Sequence, residues 1–205
     1  TTITLGNNSS FAVLARNTDQ HVVVDVQGYF YRASGSCSND MVAVGSVCID
    51  RYEASVVDIN GVLTAQSVEG VIPTDSVDWY EAVSYCANAG KRLPTTAEWQ
   101  EAAAGTPGGV DCNLDSLGAD LTGTAYPNCV STAGAFDMVG NLWEWTADLD
   151  VNNGANVQTT TDNGLARALG DSWASVANGS LGNAKALWII NPTTTSSRRG
   201  FRCAR

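Results

Sequence analysis

The chain has 205 residues, 44% of them hydrophobic, and a formal net charge of −10. That length supports one good-sized domain plus an appendage with a real core. No run of about 18 apolar residues occurs, which excludes membrane insertion by a helix, and the acidic balance argues against nucleic acid as a general partner.

In chain order, residues 11–16 (FAVLAR) and 21–31 (HVVVDVQGYFY) predict two strands of a β-hairpin. Val22, Val24 and Val26 share one face of the second strand, with Asn17 to Gln20 as the turn. The ending VDVQGYF is similar to segments of bacterial secreted proteins. Residues 1–36 are therefore expected to be a hairpin extension or the tail of an upstream β-module. The small, polar stretch ASGSCSN (33–39) is a linker.

A second unit, 37–205, begins with MVAVG and SVCIDRYEASV, which predict strands around a Gly turn. Trp79, Ala82, Val83 and Cys86 fall on one helical stripe, and Gly90 is a natural stop. Thr95 with Glu98 three residues on is a capping box, opening a second helix that ends near Ala104. From Gly105 onward Gly, Asn, Thr and Ser predominate, predicting long loops supported by short strands. Loops of that length are usually functional or stapled.

Six cysteines stand at 37, 48, 86, 112, 129 and 203. The even count and wide spacing suit disulfides and an oxidising compartment, with buried free thiols as the alternative. There is no CxxC, and the one histidine is His21, so a zinc site is not expected.

Four ordered motifs then carry a resemblance: VDWYEAVSYCANAGKRLPTTAEWQEAA (77–103), DMVGNLWEWTAD (137–148), RALGDSW (167–173) and GFRCAR (200–205). Together they resemble the formylglycine-generating-enzyme family, a variant of the C-type-lectin-like fold. The implied fold class is α+β: two helices, short antiparallel strands and long loops, with the chain ends brought together. The family pattern implies that Cys86 pairs with Cys203. Cys37–Cys48 and Cys112–Cys129 are then expected by proximity.

DMVGNLWEW resembles the family's calcium loop. Carried over by position, Asp137 and Glu144 would offer side-chain oxygens to Ca²⁺, and Gly140 and Leu142 backbone carbonyls. An Asn–Glu hydrogen-bond network closing the loop without metal is the alternative. Trp143 and Trp145 are expected in the core either way.

The family's oxidase activity needs a pair of copper-binding cysteines upstream of GFRC. Residues 174–202 contain no cysteine, so no copper and no thiolate chemistry is expected. No Ser–His–Asp set can be built on one histidine. Asp148 and Asp150 are read as solvated loop residues and not as an acid/base pair.

A second branch of the same fold matches better. Variable proteins of diversity-generating retroelements carry a rewritten segment between a GSW-like and a GFR motif. Gly170–Trp173 and Gly200–Arg202 match those boundaries, with Asp171 in place of the commoner Gly, and Asn191-Pro192 matches an internal fixed NP. Adenine mutagenesis of AAC codons yields a residue set lacking Lys, Trp, Met, Glu and Gln; within 174–199 only Lys185 and Trp188 fall outside it.

No period of 2 or 3.6 runs through Trp188 to Arg199, so WII beside TTTSSRR is expected to be an assortment of exposed anchors and hydrogen-bonding groups, neither strand nor helix face. Trp173, Phe201 and Cys203 are expected to serve the frame. The expected ligand-facing residues are Ala174, Ser175, Val176, Asn178, Ala186, Trp188, Ile190, Asn191, Thr193, Thr195, Ser197 and Arg198.

The implied function is non-catalytic, receptor- or adhesin-like binding of a macromolecular ligand, a protein surface, by an extracellular or surface-exposed protein on a cell or virion. A structural surface paralogue, with Trp188 and Ile189 partly buried, and an oxidase-type enzyme are the alternatives. Residues 167–205 bear Arg167, Lys185, Arg198, Arg199, Arg202 and Arg205 against one acid, Asp171. This basic segment on an acidic body either favours an anionic partner or supplies internal salt bridges.

Overall fold

The computed structural model describes residues 37–149 and the backbone of Asp150, then residues 164–175 and 187–205. The expected hairpin of residues 11–31 lies outside the described residues.

Two hairpins come first. β1 (Met41–Val44) pairs antiparallel with β2 (Val47–Asp50), and β3 (Ala54–Ile59) with β4 (Val62–Ser67). The stretch SVCIDRYEASV is thus two strands in separate sheets. The break at Arg51–Glu53 follows from polar demands: the Arg51 side chain donates to the Asn39 and Gly134 carbonyls, and Glu53 is buried.

Helix α1 (Trp79–Asn88) buries Trp79, Ala82 and Cys86, with Val83 packed beside them. Its N-cap is Asp78, whose carboxylate accepts from the Glu81 N–H at 2.8 Å while Glu81 accepts from the Asp78 N–H. Helix α2 (Thr96–Ala102) has the expected Thr95/Glu98 box, and Glu98 also takes Arg92 in a two-pronged pair at 2.7 Å.

The third sheet has the order β7-β6-β5-β8: β5 (Trp143–Asp150), β6 (Leu165–Leu169), β7 (Leu187–Ile190) and β8 (Arg199–Phe201). β6 is antiparallel to β5 and β7, whereas β8 is parallel to β5. β5, β7 and β8 therefore start at one end of this sheet, where β6 finishes. The core against α1 contains Trp79, Trp145, Ala166, Ala168 and Phe201; the core against α2 contains Trp99, Ala102, Met138 and Leu169. The fold is α+β, as the motifs imply.

All six cysteines are paired, as Cys37–Cys48, Cys86–Cys203 and Cys112–Cys129. Cys86 and Cys203 are wholly buried and 117 residues apart in sequence. Past Cys203 the chain lies against β2: the Arg205 N–H donates to the Cys48 carbonyl at 2.7 Å.

A loop of that length contributes about 5 kcal/mol on the chain-entropy estimate. Replacing both Cys86 and Cys203 by Ala is expected to lower unfolding free energy by roughly 2–5 kcal/mol, measured by denaturant titration. Reduction of the parent protein should shift the midpoint in the same direction.

Candidate functional site

The segment between β7 and β8 crosses from one edge of the third sheet to the other. Its burial alternates: Asn191, Thr193, Thr195 and Ser197 are exposed, while Pro192 is buried and Thr194, Ser196 and Arg198 are half-buried. The even-numbered residues carry the tethers. The Trp79 N–H donates to the Pro192 carbonyl at 2.9 Å and the Ser76 N–H to the Ser196 carbonyl at 3.1 Å. Arg199 Nη1 donates to the Thr194 carbonyl at 2.7 Å. A strap held at alternate residues leaves the side chains between them free. Asn191 also has a local duty, since its Oδ1 accepts from the Thr193 N–H and hydroxyl.

At the end of the sheet where β5, β7 and β8 start, aromatic and basic residues gather. Trp143 meets Trp188 edge to face, with ring centroids 5.7 Å apart. The Arg199 guanidinium lies 4.6 Å from the centre of the Trp145 ring and 5.4 Å from that of Trp188. Arg198 stacks over Trp173 at 5.9 Å, and the Trp173 indole N–H donates to the Ser197 carbonyl at 3.2 Å. Arg199 is 1% exposed, and its Nε has no hydrogen-bond partner. Burial pulls its pKa down to about 10.

The expected ligand-facing residues divide accordingly. Trp188 is 43% exposed, and Asn191, Thr193, Thr195 and Ser197 are exposed. Arg198 is half-buried on Trp173. Ile190 is half-buried against the α1 core. Val176, Asn178 and Ala186 lie outside the described residues.

Ala174 and Ser175 are corrections, because both are buried. The Ser175 hydroxyl donates to Asp171 and its oxygen accepts from the Ser172 N–H at 2.9 Å, making these residues a closed turn of the frame. Residues 187–190 form a strand, contrary to the expectation of neither strand nor helix. Being an edge strand of only four residues, β7 leaves Leu187 and Ile189 exposed along with Trp188, so no alternation marks it. Trp143 and Trp173, expected as core, are half-buried members of this surface.

Leu117, fully exposed, was not foreseen. It sits in a loop whose Ser116 N–H donates to the Trp173 carbonyl at 3.0 Å. An exposed Leu in a polar loop has no sequence signal that separates it from an ordinary surface residue.

The motif glycines have steric reasons. Gly170 has φ +98°, and a Cβ there would come within 3.0 Å of the Met138 carbonyl and the Trp99 ring. At Gly200 a Cβ would sit 2.7 Å from Leu142 Cδ1 and 2.9 Å from the Thr74 carbonyl. Asp171 has φ +72°, a conformation that suits Gly.

Beneath this surface lies a buried polar cluster. All five N–H groups of the Arg202 guanidinium are used: Nε and Nη2 donate to Glu144 at 2.6 Å, and the others to the Asp50, Arg51 and Phe136 carbonyls. Glu144 takes a further bond from Trp99 Nε1 at 2.7 Å. Asn141 and the Leu142 N–H donate to Glu53, and Asp137 accepts from the Thr122 hydroxyl and the Gly123 N–H.

The expected calcium ligands Asp137, Gly140, Leu142 and Glu144 do not fit a metal ion in this arrangement. Both Glu144 oxygens are occupied by N–H donors, and among the described residues no three acidic, His or Cys side chains converge as a metal group. An Asn141–Glu53 bond and the Glu144–Arg202 pair close the loop.

Comparison with known proteins gives residues 24–128 and 123–205 a match to the sulfatase-modifying factor enzyme 1-like domain. The inactive C-alpha-formylglycine-generating enzyme 2 of Bos taurus is 31% identical over 157 residues, covering 64% of this chain and 50% of that protein. The chain spans about half the length of such relatives. Others are named as enzymes, among them a formylglycine-generating enzyme of Thermomonospora curvata.

Among solved structures, the Major Tropism Determinant P3c variant superposes with TM-score 0.60 at 20% identity, over 84% of this chain and 54% of that one. Treponema denticola variable protein 1 superposes with TM-score 0.51 at 17% identity, over 80% and 97%. The chain belongs to the sulfatase-modifying factor enzyme 1-like domain family.

Glu144→Gln is expected to destabilise the fold by roughly 3–5 kcal/mol, because it leaves Arg202 as a buried charge without its acid; urea unfolding checks this. Burial pushes the Asp137 carboxyl up to about 6. A folded pKa above the unfolded value means the contribution is full below about pH 4 and is lost as pH rises through about 6. Asp137→Asn is therefore expected to be more stable than the parent at neutral pH, with the gap narrowing as pH falls below about 6 and closed near pH 4; urea unfolding at both pH values checks this.

Proposed function

We propose that this member of the family is a non-catalytic, receptor- or adhesin-like binding protein. Its ligand surface is made by β7, the strap of residues 191–198 and the Trp143–Trp173 end of the third sheet. The alternating strap carries this reading. Even-numbered residues hold it to the frame, and odd-numbered side chains have no duty to the interior. Such positions can be exchanged at little cost in stability.

The boundaries support a diversified segment. Gly170 and Gly200 are fixed by contact, and Phe201 and Cys203 by full burial. The exposed side chains between them supply large apolar anchors and adaptable hydroxyls. This is the make-up of a surface for a macromolecular ligand, here a protein, and spread-out exposed groups suit a broad contact. The backbone likeness to a protein titled as a variable protein is in keeping with this, as is the relative titled inactive. All six cysteines stand in disulfides, so no thiol remains for copper-dependent oxidation. Three disulfides favour an extracellular or surface-exposed setting, on a cell or a virion.

The genomic test is a near-copy of the DNA encoding 174–202 that differs chiefly at adenines, beside a reverse-transcriptase gene; absence of both returns the chain to a structural paralogue. In the protein, replacing Ile189, Thr193, Thr195 or Ser197 singly is expected to change unfolding free energy by less than about 1 kcal/mol. Phe201→Ala should cost about 3–5 kcal/mol. Incubation with copper and a cysteine-containing sulfatase peptide is expected to yield no formylglycine by mass spectrometry.

A further inference from the structure

We infer that the ligand of this surface presents a carboxylate: the geometry points to an acidic segment of a partner protein, with the acid flanked by aromatic or aliphatic side chains. The inference rests on the binding reading above and adds the chemistry of the partner.

Two arginines lie at the same end of the sheet. Arg199 is 1% exposed between the Trp145 and Trp188 rings, and its Nε is unpartnered. Among the described residues its guanidinium donates to a neutral carbonyl, that of Thr194, and to no carboxylate. A cation removed from water with no counter-ion is costly, and π faces offset only part of that cost. Arg202 shows what this fold does with a guanidinium that serves structure alone: all five donors are satisfied and a carboxylate is supplied. Arg199 lacks that provision.

Beside it Arg198 lies on Trp173, and among the described residues neither Arg198 nor Arg199 forms an ion pair. The acids adjoining the strap and Trp173 in the backbone hydrogen-bond pattern are Asp75, next to Ser76, Asp78, next to Trp79, Asp115, next to Ser116, and Glu144, next to Trp143. Asp78 caps α1 and Glu144 is taken by Arg202, and among the described residues none of the four forms an ion pair with Arg198 or Arg199.

An anion above Trp188 and Arg198 supplies the missing countercharge. Leu187, Trp188 and Ile189, each 43–44% exposed, provide the apolar flanks. The acidic body repels carboxylates elsewhere, so charge confines an acidic partner to this face.

The test pans a phage-displayed library of random peptides against the full chain and probes a glycan array carrying sialylated structures. Selected peptides should share an Asp or Glu beside an aromatic or aliphatic residue. Changing that acid to its amide should weaken binding at least about tenfold, as should Arg198→Gln in the protein at unchanged melting temperature. Arg199→Met should weaken binding likewise; Arg198→Gln decides the matter if Arg199→Met fails to fold.

Selected peptides without an acid, or binding indifferent to the amide and to Arg198→Gln, overturn the inference while leaving the binding reading intact. Sialylated glycans bound in an Arg198-dependent way, with no peptide selected, overturn the assignment to a protein partner. No binding to any probe overturns the inference together with the binding reading beneath it.

Discussion

The burial of Arg202 is the constraint on which the rest depends. One guanidinium joins β5 through Glu144, the end of β2 through the Asp50 and Arg51 carbonyls, and the 130–140 loop through Phe136. A charge inside a protein is tolerated only when every donor is met, so these elements are held in one mutual arrangement. Cys203, the next residue, then bonds to Cys86 in α1. Two adjacent residues thereby tie the last strand to three layers of the molecule.

That lock makes a free surface possible nearby. The strap is fixed at both ends, by Ile190 packed on the core and by Arg199–Phe201 in the sheet, and it is pinned between them by backbone carbonyls. Backbone tethers do not depend on side-chain identity. The strap can therefore keep its path while its outward residues change, which a side-chain-packed strand cannot do. Pro192 is the exception: its ring is buried, and its carbonyl receives the α1 N-terminal bond from the Trp79 N–H.

Much of the frame was legible because its signals are local or repeat a known pattern. The stripe Trp79, Ala82 and Cys86 and the Thr95/Glu98 box follow from helix geometry alone; the Cys86–Cys203 pairing came with the four motifs, and the other two from closeness in sequence. The site was legible in part. Alternation in 191–198 was hidden because the residues facing in are Pro, Thr, Ser and Arg, with no apolar period to mark them. Ser175 was misread because a small polar residue looks exposed until its partner, Asp171, folds over it. β7 was missed since a four-residue edge strand beside exposed neighbours carries no pattern of its own. The partner of Glu144 in the loop 137–144 was not legible, because it is an arginine 58 residues further along the sequence.

The same arrangement bears on the chemistry proposed for this chain. An oxidase of this family needs reactive thiols close to the last strand, where they must stay unpaired and reachable. Here Cys203 is buried in a disulfide, and the residues leading to it are hydroxyls and arginines on a tethered strap. Exposed Thr and Ser side chains bind by hydrogen bonds that carry no redox demand and tolerate exchange. The scaffold energetics are indifferent to which residues occupy those places, because the fold's stability comes from Arg202, the Cys86–Cys203 link and the two tryptophan-centred cores. Those positions can thus change without the frame being re-solved each time.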